Sequence, residues 1–169
     1  LYKYVVHYTK VTLNEKKTFS TLFGLLFSII GIIVGIWIAY TTSNKDYENF
    51  YIYSGISGFI TGKLLAKHII EKRNRFNHKS YFIVAILTGV FSHWLCWYVK
   101  TLVLNFRYWI LNERLFSPPT DPLFGIYEAF VFCLLSWLLA GWATVLGGIL
   151  SIYITKWIYE RKSTMHNNV

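Results

Sequence analysis

The sequence predicts an all-α integral membrane protein: four transmembrane helices packed through small-residue faces, with both chain ends on the cytoplasmic side. Three observations carry that expectation. Charged residues are only 15% of the 169 and hydrophobic ones 54%, where a soluble domain carries about 25% charged residues. The weakly charged stretches fall at about 19–42, 49–70, 80–104 and 123–155, each long enough to cross a bilayer core as helix, which takes about 20 residues. Lys and Arg collect in alternate connections. Helices are expected because a segment in lipid must satisfy its own backbone groups. Residues 1–169 read as a single membrane domain.

Residues 1–13, LYKYVVHYTKVTL, place Leu1, Tyr4, Val5, Tyr8 and Val11 on one helical face. Lys3, His7, Lys10 and Asn14 fall opposite. This is the pattern of an amphipathic helix on the inner surface, drawn to anionic headgroups, or of a half-buried helix packed on the bundle or a partner. The run after it is too long for a signal peptide. The sequence opens at Leu1 rather than Met, so a few leading residues are expected to be missing.

TSNKDYEN at 42–49 is a short polar outer turn, and EKRNRFNHKS at 71–80 a short basic inner one. The connection 105–122, NFRYWILNERLFSPPTDP, mixes Phe106, Trp109, Ile110 and Leu111 with Arg107, Glu113 and Arg114. Aromatic residues favour the membrane boundary, so a helical extension of span three or a surface helix is expected there. Pro118 and Pro119 stop it. Asp121 is an N-cap and Pro122 the first helical residue of span four. From Pro122 to Glu160 the helix would measure about 58 Å, nearly twice the ~30 Å core. It must tilt, bend near Gly141 or Gly147-Gly148, or project.

The charges set the orientation. Four basic residues precede span one (Lys3, Lys10, Lys16, Lys17), and six end span two or follow it (Lys63, Lys67, Lys72, Arg73, Arg75, Lys79). Three more follow span four (Lys156, Arg161, Lys162). Only Lys45, Lys100, Arg107 and Arg114 fall on the other side. The positive-inside rule then puts both termini in the cytoplasm, in a cell inner or plasma membrane. Lys63 and Lys67 are the unusual members, because they precede any loop signal. Lys67 snorkels readily. Lys63 lies about 10 Å deeper than Ile70 and points either to snorkelling or to an internal partner.

Small residues recur in steps of three and four. They include Gly24, Ser28, Gly31 and Gly35 in span one, and Ser54, Gly58 and Gly62 in span two. Gly89 and Ser92 continue the pattern in span three, and Ser136, Ala140 and Gly147 in span four. Such stripes allow helix backbones to approach where lipid supplies no hydrophobic drive. They serve contacts within one chain or between chains. The segment GKLLAKHIIEKRN faintly resembles SIYITKWIYERKS. One charge rule acting on two inner helix ends explains this, with a duplicated hairpin as the alternative.

His93, Lys100 and Glu128 are the polar candidates in the outer half. Ionisable groups in spans are costly and need named partners, so a Lys100–Glu128 ion pair with His93 beneath it is expected, or His93 as a neutral cross-bundle hydrogen-bonding group. Cys96 and Cys133 have no metal-ligand spacing, and no catalytic or nucleotide-binding motif is present. Neither metal nor cofactor is expected, nor is enzyme activity. The basic set Lys72, Arg73, Arg75, Lys79, Arg161 and Lys162 is expected to contact lipid headgroups or a protein partner. Arg73, Arg75 and Lys79 with Phe76 would suit nucleic acid, but topology already demands those charges. The functional expectation is a non-enzymatic membrane subunit that homo-oligomerises through its small-residue stripes. It would couple an anchor or membrane event to a cytoplasmic or membrane protein, as sensor, immunity and defence components do by class analogy. The alternative is an oligomeric channel or transporter in which Lys63, Lys67 and His68 form an inner basic ring.

Overall fold

The computed structural model describes residues 13–42, 47–113 and 119–166, with side chains described for 19–42, 47–113 and 119–161. These residues are all-helical, without a strand. Four helices follow in order: α1 Leu13–Thr41, α2 Phe50–Ala66, α3 His78–Trp109 and α4 Pro122–His166. Three segments are long and apolar enough to cross a membrane: Phe19–Thr41, His78–Trp109 and Pro122–Arg161. The amphipathic helix expected over 1–13 lies outside the described residues but for Leu13. So do residues 43–46 of the TSNKDYEN turn, Arg114, Pro118 and the Lys162 side chain.

Two elements differ from the sequence expectation, and a third takes a form it allowed. The second run is 17 residues of α-helix, continued by a π-helical turn over Lys67–Glu71. α3 extends through Trp109, the helical extension expected of the connection. α4 runs unbroken for 45 residues, about 68 Å, through Gly141, Gly147 and Gly148.

The ends of the elements follow from local chemistry. Asn77 caps α3, its side chain accepting from the Ser80 amide at 2.8 Å. Asp121 caps α4 as its sequence position implies, accepting from the amides of Leu123 and Phe124 at 2.9 and 3.1 Å. Asn74 closes the π turn in the left-handed region, with φ 49°. The Asn74 amide donates to the Glu71 carbonyl and the Arg75 amide to that of Ile70. That is the Schellman pattern, and Asn tolerates its left-handed position.

Each helix packs against its chain neighbours, and α1 also packs against α4, so the four form a closed up-down-up-down bundle. One core cluster lies at the end carrying the basic connection, around Phe19, Phe23, Ile70, Tyr81 and Ile152. Phe76 reaches from the connection into it, stacking on Tyr159 at 5.9 Å and meeting Phe19 edge-on at 5.6 Å. A second cluster, at the opposite end, joins Phe50, Tyr53 and Cys96 with Tyr47 and Trp97.

Candidate functional site

The small-residue stripes meet inside one chain. A Cβ on Gly31 would stand 2.6 Å from the Ser54 carbonyl oxygen, and one on Gly24 2.9 Å from that of Phe59. Gly58 faces the Phe27 carbonyl at 3.2 Å, and Gly35 abuts Tyr51. Two hydroxyls cross this seam: Ser28 donates to the Gly55 carbonyl at 2.8 Å and Ser54 to that of Gly31 at 2.7 Å. Against α4 the fit is similar, since a Cβ on Gly148 would lie 3.2 Å from the Ala85 carbonyl, and Gly147 receives the Ile30 side chain. Ala140 is buried too, whereas Gly89 has ordinary room. The faces expected to join separate chains are therefore occupied by intrachain contacts.

His93 is buried where α3 meets α4. Its Nδ1 lies 3.0 Å from Ser136 Oγ and its Nε2 3.1 Å from Thr144 Oγ1. Both hydroxyls also reach carbonyls of their own helix, Ser136 that of Cys133 at 3.1 Å and Thr144 that of Gly141 at 2.9 Å. A neutral imidazole has one donor and one acceptor. One of the two hydroxyls must then turn from its carbonyl to the ring, and the other accepts from it. Beside the ring is a cavity of about 30 Å³, lined among others by Gly31, Ser54, Ser92, Cys96 and Thr144, with room for about two waters. The His93–Ser136 distance would suit a nucleophile and base. However, Ser136 does not line the cavity, and it sits mid-helix, where neighbouring amides serve the helix ladder. Ser92, adjacent to His93 in sequence, turns to the Gly89 carbonyl instead.

Lys100 and Glu128 line one cavity of about 130 Å³ at the end opposite the basic connection. The expected ion pair is not formed. Among the described residues, ion-pair distances are met by Arg107–Glu113 at 2.6 Å and Lys156–Glu160 at 3.7 Å. The buried Lys100 instead places its ammonium 3.8 Å from the Tyr47 ring centroid and 5.0 Å from that of Trp97. A cation over an aromatic face draws on the ring quadrupole, and Tyr47 lies in a turn whose approach to α3 the sequence did not reveal.

At the basic end Lys63 is half-buried in the α1–α2 seam. Its Cβ would lie 3.1 Å from a Cβ on Gly24, and its ammonium sits 5.4 Å from the Phe59 ring centroid. Lys67 and His68 are exposed, and none of the three lines the central cavity. Lys72, Arg73, Arg75 and Lys79 are all exposed, as is Arg161, which lies 4.1 Å over the Trp157 ring. Phe76, the residue suited to stack a base, is committed to the bundle. Glu71 is turned inward and accepts from the Ser20 amide at 2.8 Å. Its likeness to Glu160 ends there, because Glu160 is exposed and pairs along its own helix.

Cys96 and Cys133 are buried and free. Among the described residues no three His, Cys, Asp or Glu side chains gather as a metal site would require. Thr144 and Asn105 are the polar residues sequence reasoning missed. The first shares the four-residue spacing of Ser136 and Ala140. The second holds the end of the long connection, its side chain donating to the Thr120 carbonyl at 2.5 Å and accepting from the Thr120 amide at 3.1 Å. Compared with protein-family models, curated proteins and solved structures, the chain matches none.

Proposed function

We propose that this chain is a non-enzymatic membrane subunit, a four-span bundle with both termini cytoplasmic, that presents its basic end to an acidic partner. The carrying observation is the exposure of Lys72, Arg73 and Arg75 on a connection whose backbone is fixed by the Asn74 turn and whose Phe76 is anchored in the bundle, with exposed Lys79 beside them in the first turn of α3. A rigid end bearing four cations loses little entropy when it docks. It suits anionic headgroups and an acidic protein surface alike.

The conducting alternative has less support. The cavity beside His93 holds about 30 Å³, too little by itself for a continuous water path, and Lys63, Lys67 and His68 do not line it. A pore would have to form between chains, yet the glycine faces are already occupied within one chain. If the chain associates with itself, it does so through lipid-facing residues such as Leu25, Ile29 and Ile33 of α1.

Native mass spectrometry of the tagged protein, extracted with lipid, tests this. A stoichiometric protein partner released by Lys72→Glu with Arg73→Glu supports the subunit reading. A closed ring of identical chains without a partner transfers the weight to the pore.

A further inference from the structure

A groove of about 560 Å³ runs along the outside of the bundle between α1 and α2. Leu25 and Ile32 of α1 wall it, with Ile52, Ile56 and Phe59 of α2, and all of these but Phe59 are exposed. Gly55 lines it without a side chain, and the Ser28 hydroxyl is spent on the Gly55 carbonyl at 2.8 Å. The groove therefore offers an occupant mainly apolar surface. One cation stands at its inner end. Lys63 follows Phe59 by four residues and Ile60 by three, which continues the groove face by one turn. Its ammonium lies 5.4 Å from the Phe59 ring centroid, and among the described residues it forms no ion pair. If α2 crosses the bilayer, as the four-span reading holds, Lys63 is rooted about 12 Å from Glu71 at the inner end and about 20 Å from Phe50 at the outer, within a core of ~30 Å. An ionisable group at that depth is costly and calls for a partner.

We propose that the α1–α2 groove docks a transmembrane helix of a partner protein, one that carries a carboxylate near the bilayer middle to pair with Lys63. An apolar helix face fills an apolar groove, and Gly55 lets its backbone come close. The carboxylate supplies the charge that Lys63 lacks. A lipid fits less well, because its headgroup stays at the boundary while the ammonium sits by Phe59, the residue one turn nearer the bilayer middle. A second copy of this chain does not supply the charge. Of its eight acidic residues none falls at this depth, since each lies in a connection or within two turns of a helix end. This inference rests on the four-span reading, but uses a different surface from the basic end.

The test reconstitutes the labelled full chain in phosphatidylcholine vesicles with a single-pass leucine–alanine peptide bearing one aspartate at its centre, and reads association by energy transfer. The aspartate peptide is expected to associate about ten-fold more tightly than its asparagine counterpart, the worth of one charge-assisted hydrogen bond. Moving the aspartate two turns toward either end removes the preference. Lys63→Arg keeps it. Lys63→Met, which retains a packed stem, abolishes it, and Lys67→Met, one turn nearer the boundary, leaves it unchanged. No preference for aspartate, or one that Lys63→Met leaves intact, overturns the proposal. So does displacement of the peptide by phosphatidylglycerol, which gives the groove to an anionic lipid. So does Lys63-dependent energy transfer between copies of the chain without peptide, which gives it to a second copy. Impermeant labelling of Glu48→Cys and Lys72→Cys in oriented vesicles keeps the two readings apart. Labelling from opposite sides without an aspartate preference overturns this proposal alone, and labelling from one side removes the crossing of α2 and this proposal together.

Discussion

Gly24 and Gly62 touch backbone to backbone. A Cβ built on Gly62 would stand 3.3 Å from the Gly24 Cα, and Lys63 follows immediately. Lys63 is thus rooted at the tightest kind of helix crossing. Its stem lies along the seam, and its ammonium reaches the Phe59 ring. The packed stem leaves the long lysine free to carry its head toward the surface.

The glycines of the two halves differ in what they tolerate. Alanine is favoured over glycine within a helix by about 1 kcal/mol. Gly89→Ala should keep that gain, since its new methyl meets nothing closer than 3.5 Å. Gly31→Ala drives a methyl toward the Ser54 carbonyl at 2.6 Å, and backbone cannot rotate aside. Overpacking of this kind costs about 1–3 kcal/mol. Thermal unfolding in detergent should place Gly31→Ala below the parent and Gly89→Ala at or above it. Equal melting temperatures would show that the α1–α2 seam relaxes freely.

His93 should behave as a joint between α3 and α4. His93→Ala removes both cross-helix contacts and leaves a cavity, for a combined loss of about 2–4 kcal/mol. Ser92→Ala, one residue away, loses only a bond to its own turn and should be nearly neutral. The pair is read in the same melting experiment. A double-mutant cycle of His93→Ala with Thr144→Val should show coupling, and strict additivity would mean that the Nε2 contact contributes nothing.

Much of the architecture was legible because lipid-compatible helices advertise themselves by length and by sparse charge. Asp121-Pro122 announced the start of α4 through capping chemistry alone. The small-residue stripes announced close packing but not its partner, since Gly31 reads the same whether Ser54 of its own chain or a second chain lies opposite. The π turn was hidden because Lys67–Glu71 has an ordinary helical composition. Only the inward turn of Glu71, beside exposed Lys72, betrays the altered register. Lys100–Glu128 failed as an ion pair for a different reason. Spacing along α3 and α4 carries no sign of Tyr47, which comes from the turn before α2 and occupies the space over the ammonium.

Glu71 fastens α1 to the π turn, and the fastening is local. Glu71→Gln retains an oxygen to accept the Ser20 amide, while Glu71→Leu retains none. Hydrogen exchange over residues 19–23 should accelerate several-fold in the leucine variant and little in the glutamine variant. Protection unchanged in both would show that Ser20 is held by its own helix ladder.

The crossing of α2 is the remaining question of topology, and accessibility decides it. α1, α3 and α4 are each long and apolar enough to span. α2 has 17 α-helical residues, about 25 Å at 1.5 Å each, and the π turn that follows carries the chain toward the ~30 Å of a bilayer core. Glu48 and Lys72 flank this stretch and are both exposed, so each accepts a cysteine without disturbing the core. Cys96 and Cys133 are buried and should stay silent toward an impermeant maleimide. In right-side-out vesicles Glu48→Cys should label and Lys72→Cys should not, with the reverse in inverted vesicles. Labelling of both from one side would make α2 a re-entrant element and leave three crossings. The two chain ends would then lie on opposite faces, and the count of positive charge in alternate connections would have to be read anew.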